Sequence, residues 1–327
     1  MNYRRLILVS AMGLLLLWDA GQYRQWRLRP EADFAATGGP WATLPSDWQT
    51  VSAGSLSAHM NSQIDGLIAA AEPYSPSKLN LYSAVDDTNG TYTRNTSVWT
   101  GAVDLSGLAT WSSAASGPGG PARTLGTLIT PTDVIVANHA APPPGTTYRF
   151  TDFANTTYTA TVGAHVTVTG DLAVAHLQWN GPVPSTLKIM PILPSNYQRY
   201  GSDRLLKFFP VLCSNQYRQV FVHDSLQSVK VPSTSFIAGF FYHVPAVEKN
   251  RAPWTMNLIT GDSSTPVMAV INGSAVLLCC TTFVSSGLSA ADNIPGINAA
   301  LAKLDAGGTI YTVTTANLGS PIAFPLF

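Results

Sequence analysis

At 327 residues the chain can hold one large domain or two small ones with real cores. Only 11% of residues are Asp, Glu, Lys or Arg, where about 25% is usual; Ser, Thr, Gly, Pro and small apolar residues replace them, as suits a β-rich chain with many turns. The 18 basic and 18 acidic groups balance, but five Arg and one Asp fall in the first 30 residues, leaving a body of net charge −4 with no basic stripe, which excludes nucleic acid as the expected partner.

In chain order, residues 1–30 read as a signal peptide or short anchor. Arg4 and Arg5 form a positive start, and Leu6 to Trp18 is an apolar run of 13 residues, shorter than the roughly 20 a spanning helix needs. The chain is therefore expected to be secreted or held at the cell surface, with no membrane span beyond a possible N-terminal anchor. Residues 31–110 form an extension with one helix, Ser55 to Ala71. There Leu56, Met60, Ile64, Leu67 and Ile68 share one face at helical spacing, a packing face against the main body, and Pro73 stops the helix.

From about residue 80 the pattern becomes short β-like runs cut by turn residues, with a flexible loop at Ser113–Pro121. Thr124–Thr130 and Val134–Ala137, around a Pro131-Thr132-Asp133 turn, predict a hairpin ending at His139. Tyr148–Phe150, Thr157–Val162 and His165–Thr169 continue the alternation up to Asp171. Four prolines, Pro182, Pro184, Pro191 and Pro194, mark a connecting region near 180–203. Further strands are expected at Phe208–Val211, Gln219–Val222, Ser235–Phe241, Met256–Ile259, Pro266–Ile271 and Ala275–Cys280. A helix at Ile294–Leu304 and a strand at Thr309–Thr315 follow. Many short strands with frequent turns indicate a mostly β fold, a sandwich or barrels.

The three cysteines, Cys213, Cys279 and Cys280, allow at most one ordinary bridge, Cys213 to one of the vicinal pair. Buried thiols are the simpler reading. Metal-ligand spacing is absent, and no metal or organic cofactor is implied. Asn89, Asn95, Asn155 and Asn272 begin N-glycosylation acceptor triplets, which a Ser/Thr-rich chain also produces by chance.

The chemistry points to three segments. His139 closes Val136-Ala-Asn-His, Asp171 opens Asp-Leu-Ala-Val 32 residues on, and Ser263 lies 92 residues later in Gly261-Asp-Ser-Ser-Thr-Pro266. Acyl transfer by Ser needs an exposed Oγ, an imidazole to take its proton, a carboxylate to orient that imidazole, and backbone N–H groups facing the developing oxyanion. Gly261 lets its own N–H turn toward a reacting carbonyl beside the N–H of Ser263. Asp171 sits at the mouth of an apolar strand, where a buried carboxylate needs a partner.

These motifs resemble those of trypsin/chymotrypsin-like serine proteases. Gly126–His139 is similar to the family's G-S-L-I hairpin leading into A-A-H, Gly170–Leu177 to its D-I-A-L-L-K-L strand, and Gly261–Pro266 to G-D-S-G-G-P. The resemblance spans about residues 120–290. It implies two six-stranded-type antiparallel β-barrels, at 111–195 and 196–327, with an N-terminal helical extension and a late C-terminal helix. It makes His139 the general base, Asp171 its orienting partner, Ser263 the nucleophile, and the N–H groups of Gly261 and Ser263 the oxyanion hole. Asn257, six residues before Ser263, would lie at the base of the substrate pocket; with no carboxylate there, a neutral or apolar side chain is expected before the cleaved bond. The implied activity is a secreted serine endopeptidase acting on proteins or peptides.

The departures are specific. Ser264-Thr265 replaces Gly-Gly, Asn138 replaces Ala, and the family disulfides are missing. Asp262, which in activated members pairs with a newly cut N-terminus, needs another partner here. Ser264 is an alternative hydroxyl, and His165, His176, His223 and His243 are alternative imidazoles. Asp152 is an alternative carboxylate, expected to be solvated in a polar loop, while His223-Asp224 points its two side chains to opposite faces of a strand. Two rival functions stay open: a non-catalytic binding protein on a protease fold, and an extracellular structural or adhesive β-protein.

Overall fold

The computed structural model describes residues 56–114, 125–197, 209–226, 239–243, 250–282 and 286–318. Residues 1–30, read from the sequence as a signal peptide or anchor, most of the 113–121 loop and the first part of the expected strand Ser235–Phe241 lie outside them.

The chain enters through helix α1 (Leu56–Ala71), whose Met60, Ile64 and Ile68 are buried, with Leu56 and Leu67 packed at the edge. It lies on strands β9 and β12 of the second sheet described below. The Arg251 guanidinium fixes its polar side, donating from Nε and one Nη to the two oxygens of Asp65 at 2.8 and 2.7 Å. The helix is thus part of the core, and Ile64→Ala is expected to cost about 2–5 kcal/mol in urea unfolding. A loss under 1 kcal/mol would mean the helix is merely laid on the surface.

A small hairpin, β1 (Tyr82–Asp86) with β2 (Thr91–Arg94), follows. Two six-stranded antiparallel sheets make up the body. The first contains β3 (Trp111–Ser112), β4 (Thr127–Leu128), β5 (Asp133–Ala137), β6 (Thr147–Thr151), β7 (Thr157–Thr169) and β8 (Leu172–Trp179), ordered β3-β6-β7-β8-β5-β4. The second contains β9 (Phe209–Ser214), β10 (Val220–Leu226), β11 (Gly239–His243), β12 (Pro266–Ile271), β13 (Ser274–Cys280) and β14 (Ser286–Leu288), ordered β13-β12-β9-β10-β11-β14.

Both sheets curl, but among the described residues the ladders do not close into complete barrels. In the first sheet a single bridge joins Leu108, just before β3, to Thr127 of β4. In the second, Cys279 bridges to Ser289, and a Cβ on Gly287 would sit 2.1 Å from the Cys280 carbonyl oxygen, so only glycine allows that approach.

The strands that lead to the predicted site are buried on both faces. Along β5, Val134 and Val136 join the core enclosed by the first sheet, while Ile135 joins the main core. Along β8, Ala173, Ala175 and Leu177 go one way and Leu172 and Val174 the other. Period-two alternation between two apolar environments leaves no polar face, and so both strands read as continuous apolar runs.

Several expectations are corrected. Met256–Ile259 is not a strand: the Met256 carbonyl accepts from His223 Nε2 at 2.6 Å and the Ile259 N–H goes to Asp262 at 2.7 Å, so side chains take the groups a ladder would need. Thr309–Thr315 forms only one bridge, at Thr315, because the N–H groups of Tyr311 and Val313 are taken by Asp305 and Asn298 of the late helix α2 (Ile294–Leu304) and its cap. Within the described part of the Pro-rich connection, Met190 and Leu193 are anchored, donating to the carbonyls of Leu128 and Leu277, one in each sheet, while residues 198–203 lie outside the described residues. The three cysteines are free and buried. Cys213 and Cys279 both pair with Val267 from opposite sides, which puts them two strands, about 10 Å, apart and beyond disulfide reach. Burial pushes both thiols well up.

Candidate active site

β5 ends at Ala137 and the chain turns through a short 3-10 segment, Asn138–Ala140, which carries His139. β8 pairs with β5 so that Ala137 faces Leu172, placing Asp171 beside the turn. Asp171 holds the turn twice. Its main-chain carbonyl accepts the Asn138 N–H at 3.1 Å, and its Oδ1 accepts the His139 N–H at 2.7 Å. Its Oδ2 lies 2.7 Å from His139 Nδ1. The carboxylate is not deeply buried as expected; its side chain is 23% exposed and that of His139 50%. Asn138 accepts the Thr167 hydroxyl at 2.7 Å, tying the turn to β7 as Ala could not.

Ser263 arrives from the second sheet, three residues before β12. Its Oγ is 2.9 Å from His139 Nε2, so carboxylate, imidazole and hydroxyl form one continuous chain of hydrogen bonds. The turn that presents it is bent by Gly261 at φ 102° and Ser264 at φ 74°, a conformation costly for any residue with a Cβ. It is pinned by the Asp262 carbonyl, which accepts both the N–H and the hydroxyl of Thr265 at 3.1 and 2.6 Å. Among the described residues the N–H groups of Gly261 and Ser263 have no hydrogen-bond acceptor.

Asp262 has the other partner its sequence setting demanded. It is buried, and its two oxygens accept the backbone N–H groups of Gln216, in the β9–β10 loop, at 3.0 Å and of Ile259 at 2.7 Å. Burial raises its pKa above the ordinary carboxylate value, and the two N–H bonds oppose that shift without cancelling it. No local motif could have shown this, because any residue type supplies a backbone N–H.

Ser264 is wholly buried and is not presented to solvent. Its hydroxyl accepts the Ala137 N–H at 2.9 Å. Asn257 is exposed, in the irregular stretch before Gly261, and makes no hydrogen bond to the trio. Of the other imidazoles, His165 is exposed on β7 and His223 is buried against Met256; the side chain of His243 lies outside the described residues.

His176 belongs to a different cluster, at the opposite end of β5. Its Nδ1 lies 3.0 Å from Asp133 and 3.3 Å from Asp305, binding the end of α2 to the first sheet. These three residues bring one ligand atom each within 4.8 Å of one another, but the second oxygens of the carboxylates are already taken, by the Thr130 and Thr132 hydroxyls and the Tyr311 N–H. Asp152 is not solvated: it is 3% exposed and accepts the N–H groups of Ala154 and Thr156 and the hydroxyls of Tyr158 and Thr186. Burial pushes its pKa up, but these bonds win and it is lowered overall; it organises a loop of the first sheet.

No protein-family model matches the sequence, and no curated protein does. Among solved structures, the crystal structure of Deg5 is similar at a TM-score of 0.38 and 13% identity, covering 56% of this chain and 83% of that one. At that level the likeness adds nothing to the geometry above. The plain finding is a mostly β protein of curled antiparallel sheets, in which no helix among the described residues is long and apolar enough to cross a membrane.

Proposed function

We propose that the chain is a serine endopeptidase of the trypsin-like type, secreted or held at the cell surface and acting on proteins or peptides. The observation that carries this reading is the unbroken relay from Asp171 through His139 to Ser263, with links of 2.7 and 2.9 Å, assembled from two different sheets. Chance contact between Ser/Thr-rich turns has no reason to order carboxylate, imidazole and a half-buried hydroxyl this way. In this reading the two curled sheets are the family's two barrels, over 111–195 and 196–327, with 31–110 as an extension.

His139 takes the Ser263 proton as Oγ attacks the scissile carbonyl, and Asp171 stabilises the imidazolium that results. The free N–H groups of Gly261 and Ser263 face the oxygen that becomes negative. His139 returns the proton to the leaving amine, then activates the water that releases the acyl group. The chain supplies no carboxylate at Asn257, which favours a neutral or apolar residue before the cleaved bond. A non-catalytic role would be favoured by a distorted nucleophile turn, but Ser264 occupies its turn with both its N–H and its hydroxyl hydrogen-bonded.

A fluorophosphonate is expected to label Ser263 covalently, with labelling lost in His139→Ala; mass spectrometry of the labelled peptide reads the site. A folded wild-type protein that resists the reagent would overturn the reading.

A further inference from the structure

We infer that Ser264 is a positioning residue for this chemistry, its hydroxyl setting the His139 turn against the nucleophile turn; the inference rests on the hydrolase reading above. Ser264 touches no substrate. It is 0% exposed and holds φ at 74°, where glycine is the unstrained choice. Glycine would fill the position without strain, but it would lack the hydroxyl that serine brings there.

It offers an acceptor to the other sheet. Ser264 Oγ takes the N–H of Ala137, the last residue of β5, at 2.9 Å, while its own N–H goes to the Thr281 carbonyl at 2.8 Å, just past β13. The residue is therefore clamped by its main chain to the second sheet and by its side chain to the first. Ala137 stands two residues before His139, and Ser264 directly follows Ser263. The Ser264–Ala137 bond thus runs beside the His139–Ser263 bond, both spanning the seam between sheets.

The two bonds differ in what can move. His139 is half exposed and reaches across through its side chain, whereas Ala137 is 0% exposed and bonded through its main chain. The buried bond fixes the separation of the two turns, and the exposed one depends on it. A shift of about 1 Å between reacting atoms costs on the order of 10²-fold in rate.

The test compares full-length wild type, Ser264→Ala and Ser264→Gly. Each is assayed for the second-order rate of fluorophosphonate labelling, for thermal unfolding, and for amide exchange at Ala137. Alanine keeps the strain and loses the acceptor; glycine relieves the strain and also loses the acceptor. Both variants are expected to label about 10- to 100-fold more slowly than wild type, to exchange Ala137 faster, and to differ in unfolding temperature, with glycine the higher. On an ester substrate the loss should fall in kcat, with KM little changed.

Reactivity would then follow the hydroxyl and not stability. A structural role alone would order labelling as it orders stability, with Ser264→Gly at least as reactive as wild type, and that result overturns the inference while leaving the hydrolase reading standing. Wild type that is folded but never labelled overturns the hydrolase reading, and the positioning role falls with it.

Discussion

Asp171→Asn should lower kcat on a peptide or ester substrate by about 10⁴-fold while leaving the protein folded. Asp171 uses one oxygen for the His139 N–H and the other for Nδ1, at 2.7 Å each. An amide in its place keeps its carbonyl on the main-chain N–H, where a donor must be accepted, and turns its NH₂ toward Nδ1. Nδ1 is then forced to accept, the ring proton moves to Nε2, and the imidazole presents a donor to Ser263 Oγ where a base is needed. The turn itself keeps its bond from Asn138 N–H to the Asp171 carbonyl, so the fold should not change. Steady-state kinetics with unfolding curves check this. A loss of less than tenfold in a folded variant would show that the His139–Asp171 contact does not set the tautomer.

Asp262→Asn should cost about 10²–10³-fold in kcat, comparable to removing one oxyanion donor. The carboxylate accepts two backbone N–H groups, from Gln216 and Ile259. An amide accepts only through its oxygen, so its NH₂ meets one of those donors head-on in a buried place. Relieving that clash displaces either the 215–219 loop or the Ile259–Gly261 approach, and with the latter the φ of 102° that aims the Gly261 N–H. The orphaned donor also costs about 1–3 kcal/mol of stability. Unchanged kcat alongside lowered stability would separate Asp262 from the oxyanion site.

How much of this was legible in the sequence follows from what each element depends on. Helices α1 and α2 were legible because a stripe such as Met60, Ile64 and Ile68 is written locally. Strands β12 and β13 were legible too as apolar runs, and the structure joins them by a two-residue turn at Asn272-Gly273, with φ 52° and 73°. Motif order singled out His139, Asp171 and Ser263, and the structure brings both Asp171 and Ser263 within hydrogen-bond reach of His139. The stretch around Met256 misled because its apolar alternation serves burial without a ladder. Asp152 misled because polar neighbours such as Tyr158 and Thr186 can fold over a carboxylate as readily as leave it to water. Gln216, one of the two partners of Asp262, and Ala137, the partner of Ser264, lie 46 and 127 residues away along the chain, and all of these partners are backbone groups, which carry no sequence signature.

The geometry of the cysteines has a consequence for where the protein can be made. One strand, β12, separates Cys213 from Cys279, and the vicinal thiols sit in an apolar core, so no covalent cross-link is required for the fold or within its reach. The same native state is open to the chain in a reducing cytosol and in an oxidising compartment. The fold requires no disulfide-forming step before its core is complete.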